Sequence, residues 1–199
     1  APPGYTLPMR SWLFHPLIFY PLAILLAAAA ILVSLRPQFW PRDPAPVAAQ
    51  LAENALVYDG DAFSTPAPTD NHALTVVRDF WGHAQSLRIG VQVQQGQPAP
   101  TEQGVRILID PADAARINGR PATVEVSYTP LPINTSQGFA VSLQGAGPTT
   151  WAAQPIQPQA STIRFQLPAQ TDVNAIGLRA INDGADRAFG LEITRILII

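Results

Sequence analysis

The side chains best suited to hold a metal or move a proton in this 199-residue chain are three histidines and a scatter of carboxylates. His72 and His83 are eleven residues apart with no carboxylate at ligand spacing, so they do not make a zinc site. His15 precedes a long apolar run. A histidine there could ligate the magnesium of a pigment, or serve as a polar cap at a membrane interface. Asp183 and Asp186 in "NDGAD", and Asp59 and Asp61 in "DGD", are the calcium candidates. Calcium takes about six to eight oxygens, and neither stretch has the spacing of a calcium loop. Asx-Gly is also the commonest hairpin turn, which is the plainer reading of both.

Catalytic patterns are missing from the sequence. No Ser lies in a G-x-S-x-G elbow, and no glycine-rich phosphate loop follows a strand. Cysteine is absent, which removes thiol nucleophiles, thiolate metal sites and disulfides together. "NTS" at Asn134 fits a glycosylation sequon, relevant only in a secretory cell. All 12 basic residues are arginines, set singly in a chain of net charge −2, so no basic stripe exists to track a phosphate backbone. The expectation is no enzyme, no resident cofactor and no nucleic-acid partner.

The elements that would position any site begin with an anchor. From Leu17 to Leu35 there is no charged residue. A helix of about 20 residues crosses the roughly 30 Å hydrocarbon layer. Trp12, Phe14, Phe19 and Tyr20 at one end, with Phe39 and Trp40 at the other, read as aromatic belts at the two interfaces. A cleaved signal peptide is the rival reading. The apolar run is longer than the usual stretch of about 7–15 residues, so retention is expected. Arg10 on one side and Arg36 with Arg42 on the other barely bias the orientation. The expected arrangement is a single pass through a bacterial inner membrane with the large C-terminal part in the periplasm.

The organisation expected is a tail over 1–11, a transmembrane helix over 12–35, a proline-rich linker over 36–54 and a β-sandwich over 55–199. "RPQFWPRDPAP" holds four prolines, which favours an extended, fairly stiff segment. "VAAQLAENAL" (47–56) is expected to add a helical turn or two. After that the apolar pattern changes to period two. Strands are expected at 73–80, 86–94, 104–110, 122–128, 139–145, 161–167, 175–181 and 189–199, with a ninth near 55–60. "DPADAAR" (110–116) reads as one helical turn. Turn signals separate the runs and no amphipathic helices intervene, so the class is all-β, an antiparallel sandwich. "RILII" at 195–199 must be paired and covered, and is expected in a central strand.

The order Trp81-Gly82, "VRILID", "PATVEVSYTP", "FAVSLQG", Trp151, "STIRFQLP" and "IGLRAINDGADRAFGLEITRILI" resembles the galactose-binding-like jelly rolls, the fold of many carbohydrate-binding modules. The resemblance spans about residues 55–199 and lies in strand order. It implies a jelly-roll sandwich and sugar stacking on an aromatic face, with Trp81, Trp151 and Tyr128 as candidates. The other reading of these rings is core or rim packing.

Two functions follow as expectations. The first is a non-catalytic accessory subunit of a larger membrane complex, photosynthetic or respiratory, packed against other integral subunits and the lipid. "AAAA" at 27–30 would let a neighbouring helix approach closely. The alternative is a membrane-tethered carbohydrate-binding module of the cell envelope.

Overall fold

Uncharged side chains, mostly leucine and alanine, make Pro16–Leu35 a helix, α1, with 20 residues and no buried position. The His15 carbonyl accepts the amides of Ile18 (2.8 Å) and Phe19 (2.9 Å), so His15 stands at the mouth of the helix. A helix of this length is about 30 Å long. It is long and apolar enough to cross a membrane, as a signal sequence would also be. The structure, a computed structural model, describes residues 15–35, 40, 42–67, 72–91, 98–182 and 189–199. Trp12, Phe39, Asp183 and Asp186 lie outside the described residues. The chain divides into two units, 1–40 and 41–199.

The second unit is an antiparallel sandwich. Its strands are β1 Gln50–Ala52, β2 Ala55–Asp59, β3 His72–Arg78, β4 Ala84–Val91, β5 Val105–Leu108, β6 Ala122–Pro130, β7 Gly138–Gln144, β8 Ala152–Pro155, β9 Ser161–Leu167, β10 Ala175–Ile181 and β11 Phe189–Ile198. The larger sheet is built around β11. On one flank lie β6 and then β9. On the other, β4 pairs Phe189–Ile193 and β2 pairs Arg195–Ile198, with β3 beyond β4 and β1 beyond β2. Thr194 is the extra residue where β11 passes from one partner to the other, and its hydroxyl donates to the Ser127 carbonyl at 3.2 Å. The smaller sheet runs β5-β10-β7-β8.

Period-two alternation explains the core. Val124, Val126 and Tyr128 of β6, Ile163, Phe165 and Leu167 of β9, and Leu191, Ile193, Ile196 and Ile198 of β11 point inward from the larger sheet. Val105, Ile107, Phe139, Val141, Leu143, Ile176, Leu178 and Ala180 face them from the smaller. The Phe139 and Phe165 rings meet edge-on at 5.9 Å across the interface. Burying each such side chain contributes about 1.5–3 kcal/mol. The last strand is therefore central and covered.

Helical turns expected over 47–56 are absent. Val47 bridges to Ile109, and β1 pairs with β2 through a turn in which Glu53 and Asn54 take positive φ. Residues 42–54 thus pack with the sandwich. The turn expected at 110–116 is a two-turn helix, α2 (Pro111–Ile117). Asp110 caps it by accepting from Ala112 N at 2.8 Å, and Pro111 sits in the first turn. Asp113 of α2 accepts the Ala49 amide at 2.7 Å, fixing the incoming segment.

Candidate functional site

The outer face of the larger sheet is polar and internally satisfied. Arg164 pairs with Glu125, and Ser127 shares a hydrogen bond of 2.9 Å with Thr162. Glu192 accepts from Ser86 Oγ at 2.5 Å and Arg88 Nη2 at 2.7 Å. Partial burial of Glu192 raises its pKa, but these two hydrogen bonds and the Arg88 charge outweigh it and hold the carboxyl below its usual range.

The outer face of the smaller sheet is roofed. Every residue of β7 and β10 is buried. Gln144 Nε2 donates to the Gln103 carbonyl at 2.7 Å, and Arg179, only 2% exposed, has Nε 3.0 Å from Glu102 Oε2. Burial lowers the His72 pKa and the Arg179 charge adds to that, while Glu102 works against it. Trp151 belongs to this roof. A Cβ on Gly104 (φ +60°) would come within 2.9 Å of its indole and 2.6 Å of the Leu178 carbonyl, so only glycine allows the approach.

The β3–β4 turn is built differently. Asp79 N donates to the His83 carbonyl (2.9 Å), and Gly82 N to the Asp79 carbonyl (3.1 Å). Asp79 Oδ1 accepts the amides of Trp81 and His83, each at 2.9 Å. Gly82 takes φ +90°, open to glycine without strain. Arg78 donates Nη1 to the Gly82 carbonyl at 3.0 Å and Nη2 to the Ser64 carbonyl at 2.9 Å. Burial lowers the Arg78 pKa, helped by the Arg42 charge and opposed by Asp61. This frame holds Phe80 and Trp81 outward, 69% and 76% exposed, with ring centroids 5.1 Å apart and edge to face. Beside them His83 Nδ1 lies 3.2 Å from Asp61 Oδ2, with both side chains about two-thirds exposed. Among the described side chains of the sandwich, Phe80 and Trp81 are the exposed aromatics.

The sequence candidates thus separate. Trp81 is open and Trp151 is largely covered, on different sheets. Tyr128 is a core residue, 2% exposed, and its hydroxyl accepts the Gln157 amide at 2.6 Å. Its ring is not available for stacking. Asp59 accepts from Gln50 (3.3 Å), and Asp61 accepts the Ala84 amide (3.1 Å), so both carboxylates brace turns. Among the described residues no group of three potential metal ligands gathers. In the first unit Tyr20 is exposed on α1, and Trp40 Nε1 donates to the Leu35 carbonyl at 3.1 Å, folding the indole onto the helix end. Phe80 is a second exposed ring that the sequence reading does not single out. Its adjacency to Trp81 in "DFWG" was the available signal.

No family profile matches the sequence. Nor is any curated protein significantly similar to it. Solved structures are similar in fold. The apo form of CBM1 of BiXyn10A matches at TM-score 0.42 and 8% identity over 76% of this chain and 98% of that one. The CBM22-1–CBM22-2 tandem domain of Paenibacillus barcinonensis Xyn10C matches at 0.45 and 12%, over 79% and 48%. The exo-beta-1,3-galactanase Pc1,3Gal43A of Phanerochaete chrysosporium, with galactose, matches at 0.40 and 14%, over 75% and 30%. The chain spans under half the length of the latter two. The first two are carbohydrate-binding modules, the class whose strand order the sequence resembles.

Proposed function

We propose that this chain is a non-catalytic binding module, held at a bacterial inner membrane by an uncleaved α1, with its β-sandwich in the periplasm and carbohydrate as its ligand. The observation that carries the reading is the rigid, outward Phe80–Trp81 turn. An indole held 76% exposed is a ready platform for the apolar C–H face of a sugar ring. The exposed His83–Asp61 pair beside it can exchange hydrogen bonds with sugar hydroxyls. Braced by backbone bonds, the platform loses little freedom when ligand arrives.

Glycan-array and polysaccharide pull-down measurements test this. Binding to a sugar class is expected, and Trp81→Ala should abolish it while the β-sheet circular dichroism stays intact. A chain that binds no glycan, or binds equally well without Trp81, overturns the reading.

A second reading is an accessory subunit of a photosynthetic or respiratory membrane complex. It is favoured by one observation on α1. Leu26, Ala29, Ala30, Val33 and Ser34 line a shallow hollow of mostly small side chains, the kind of surface a neighbouring helix can approach closely. Mass spectrometry of the chain purified in mild detergent tests it, since a stoichiometric companion is required.

A further inference from the structure

The aromatic turn is wired to the place where the chain enters the sandwich. The Ala45 carbonyl accepts from Thr65 Oγ1 at 3.1 Å. The neighbouring Ser64 carbonyl accepts from Arg78, which also holds the Gly82 carbonyl of the turn. Three hydrogen bonds therefore join the entering segment at 42–45 to the base of Phe80–Trp81. The Trp40 indole is bonded to the Leu35 carbonyl at the end of α1. Two peptide steps, about 7 Å, take the chain from Trp40 to Arg42. Tryptophan favours the membrane–water interface. If α1 spans the bilayer, the entry point of the sandwich lies within covalent reach of the headgroup layer, and the aromatic turn is hydrogen-bonded to that entry point. The far end of β4, near Val91, is a strand length away, about 25 Å.

Charge narrows what the turn would meet there. Asp79 is in the turn and Asp61 beside it, Arg42 and Asp43 of the entering segment offset one another, and the Arg78 guanidinium is committed to backbone carbonyls. That is a poor surface for an anionic phospholipid and an acceptable one for an uncharged polar headgroup. A sugar headgroup offers both an apolar face for Trp81 and hydroxyls for His83 and Asp61. We infer that the ligand of the Phe80–Trp81 turn is the uncharged glycosyl headgroup of a membrane lipid, engaged at the surface of the bilayer that anchors the chain. This rests on the carbohydrate reading above and gives the sugar a source.

The test uses the full chain in lipid nanodiscs. It has no native cysteine, so Gln85→Cys, on the exposed bulge beside the turn, and Ile133→Cys, in the exposed loop beyond β6, accept single spin labels. Discs contain phosphatidylcholine alone or with galactosyl- or glucosyl-diacylglycerol. Relaxation by oxygen against an aqueous nickel chelate reports contact with lipid. The expected result is a lipid-contact signal at position 85, absent at 133, present in glycolipid discs and reduced at least about fivefold by Trp81→Ala. Equal contact in both disc types means lipid docking without sugar recognition, which overturns the inference. Absence of contact in every disc, with Trp81-dependent binding of soluble glycans retained, overturns the inference and leaves the carbohydrate reading standing. Absence of both removes the two together.

Discussion

Removing the Arg78 guanidinium should loosen the aromatic turn before it unfolds the sandwich. In Arg78→Ala the carbonyls of Gly82 and Ser64 lose donors at 3.0 and 2.9 Å. A hydrogen bond from a charged group contributes about 1.5–3 kcal/mol. The site is only partly buried, so water replaces some of that, and the lower end applies: about 2–3 kcal/mol for the pair. Arg78→Lys can keep one contact and should cost about half as much. With a urea slope of about 2 kcal/mol/M, the alanine variant's midpoint should fall by roughly 1–1.5 M. Hydrogen exchange supplies the second measurement. The amides of Trp81, Gly82 and His83 should exchange faster, while those of β6 and β11 change only with global stability. A midpoint within about 0.2 M of the parent, with unchanged exchange across 79–83, would refute the claim that Arg78 holds this turn.

Two further outcomes follow from the same contacts. Trp151→Ala should destabilise the fold by about 2–3 kcal/mol, since a covered indole leaves a gap against Gly104, whereas Trp81→Ala should stay within about 0.5 kcal/mol in the same melt. Glu192, whose folded pKa is depressed, contributes stability above the ordinary carboxylate pKa and loses it as pH falls through the lowered folded value. Urea midpoints of wild type and Glu192→Gln should therefore differ near neutral pH and converge in acid, and parallel curves would count against it.

Period two was legible wherever one face is buried and the other wet, as in "VEVSY" and "STIRF", because each strand alternates between core and solvent. β1 and β8 were not. "QLA" and "AAQP" are short edge segments, exposed or half-exposed, and carry no alternation. β10 was found as a strand, but nothing in "AIGLRAI" announces that Arg179 is buried. That depends on residues 102–104 folding over the sheet, a contact some 75 positions away in sequence. Trp81 and Trp151 look alike as letters. Only the turn frame around one and the glycine beneath the other decide which ring meets solvent.

Strand β11 bears on how the molecule is made. Leu56, Leu87 and Val124 each find their partners on it, at Ile198, Ile193 and Ile198. A ribosome hands over those upstream segments first; each has one neighbour, at Leu51, Val76 or Phe165, but lacks the strand that joins them until β11 has emerged. By then α1 has long left the exit tunnel. Three strand pairs, β1–β2, β3–β4 and β6–β9, can form during synthesis, but the larger sheet cannot join them until β11 arrives. Its closure is a late event, so the larger sheet is still open while α1 is being sorted.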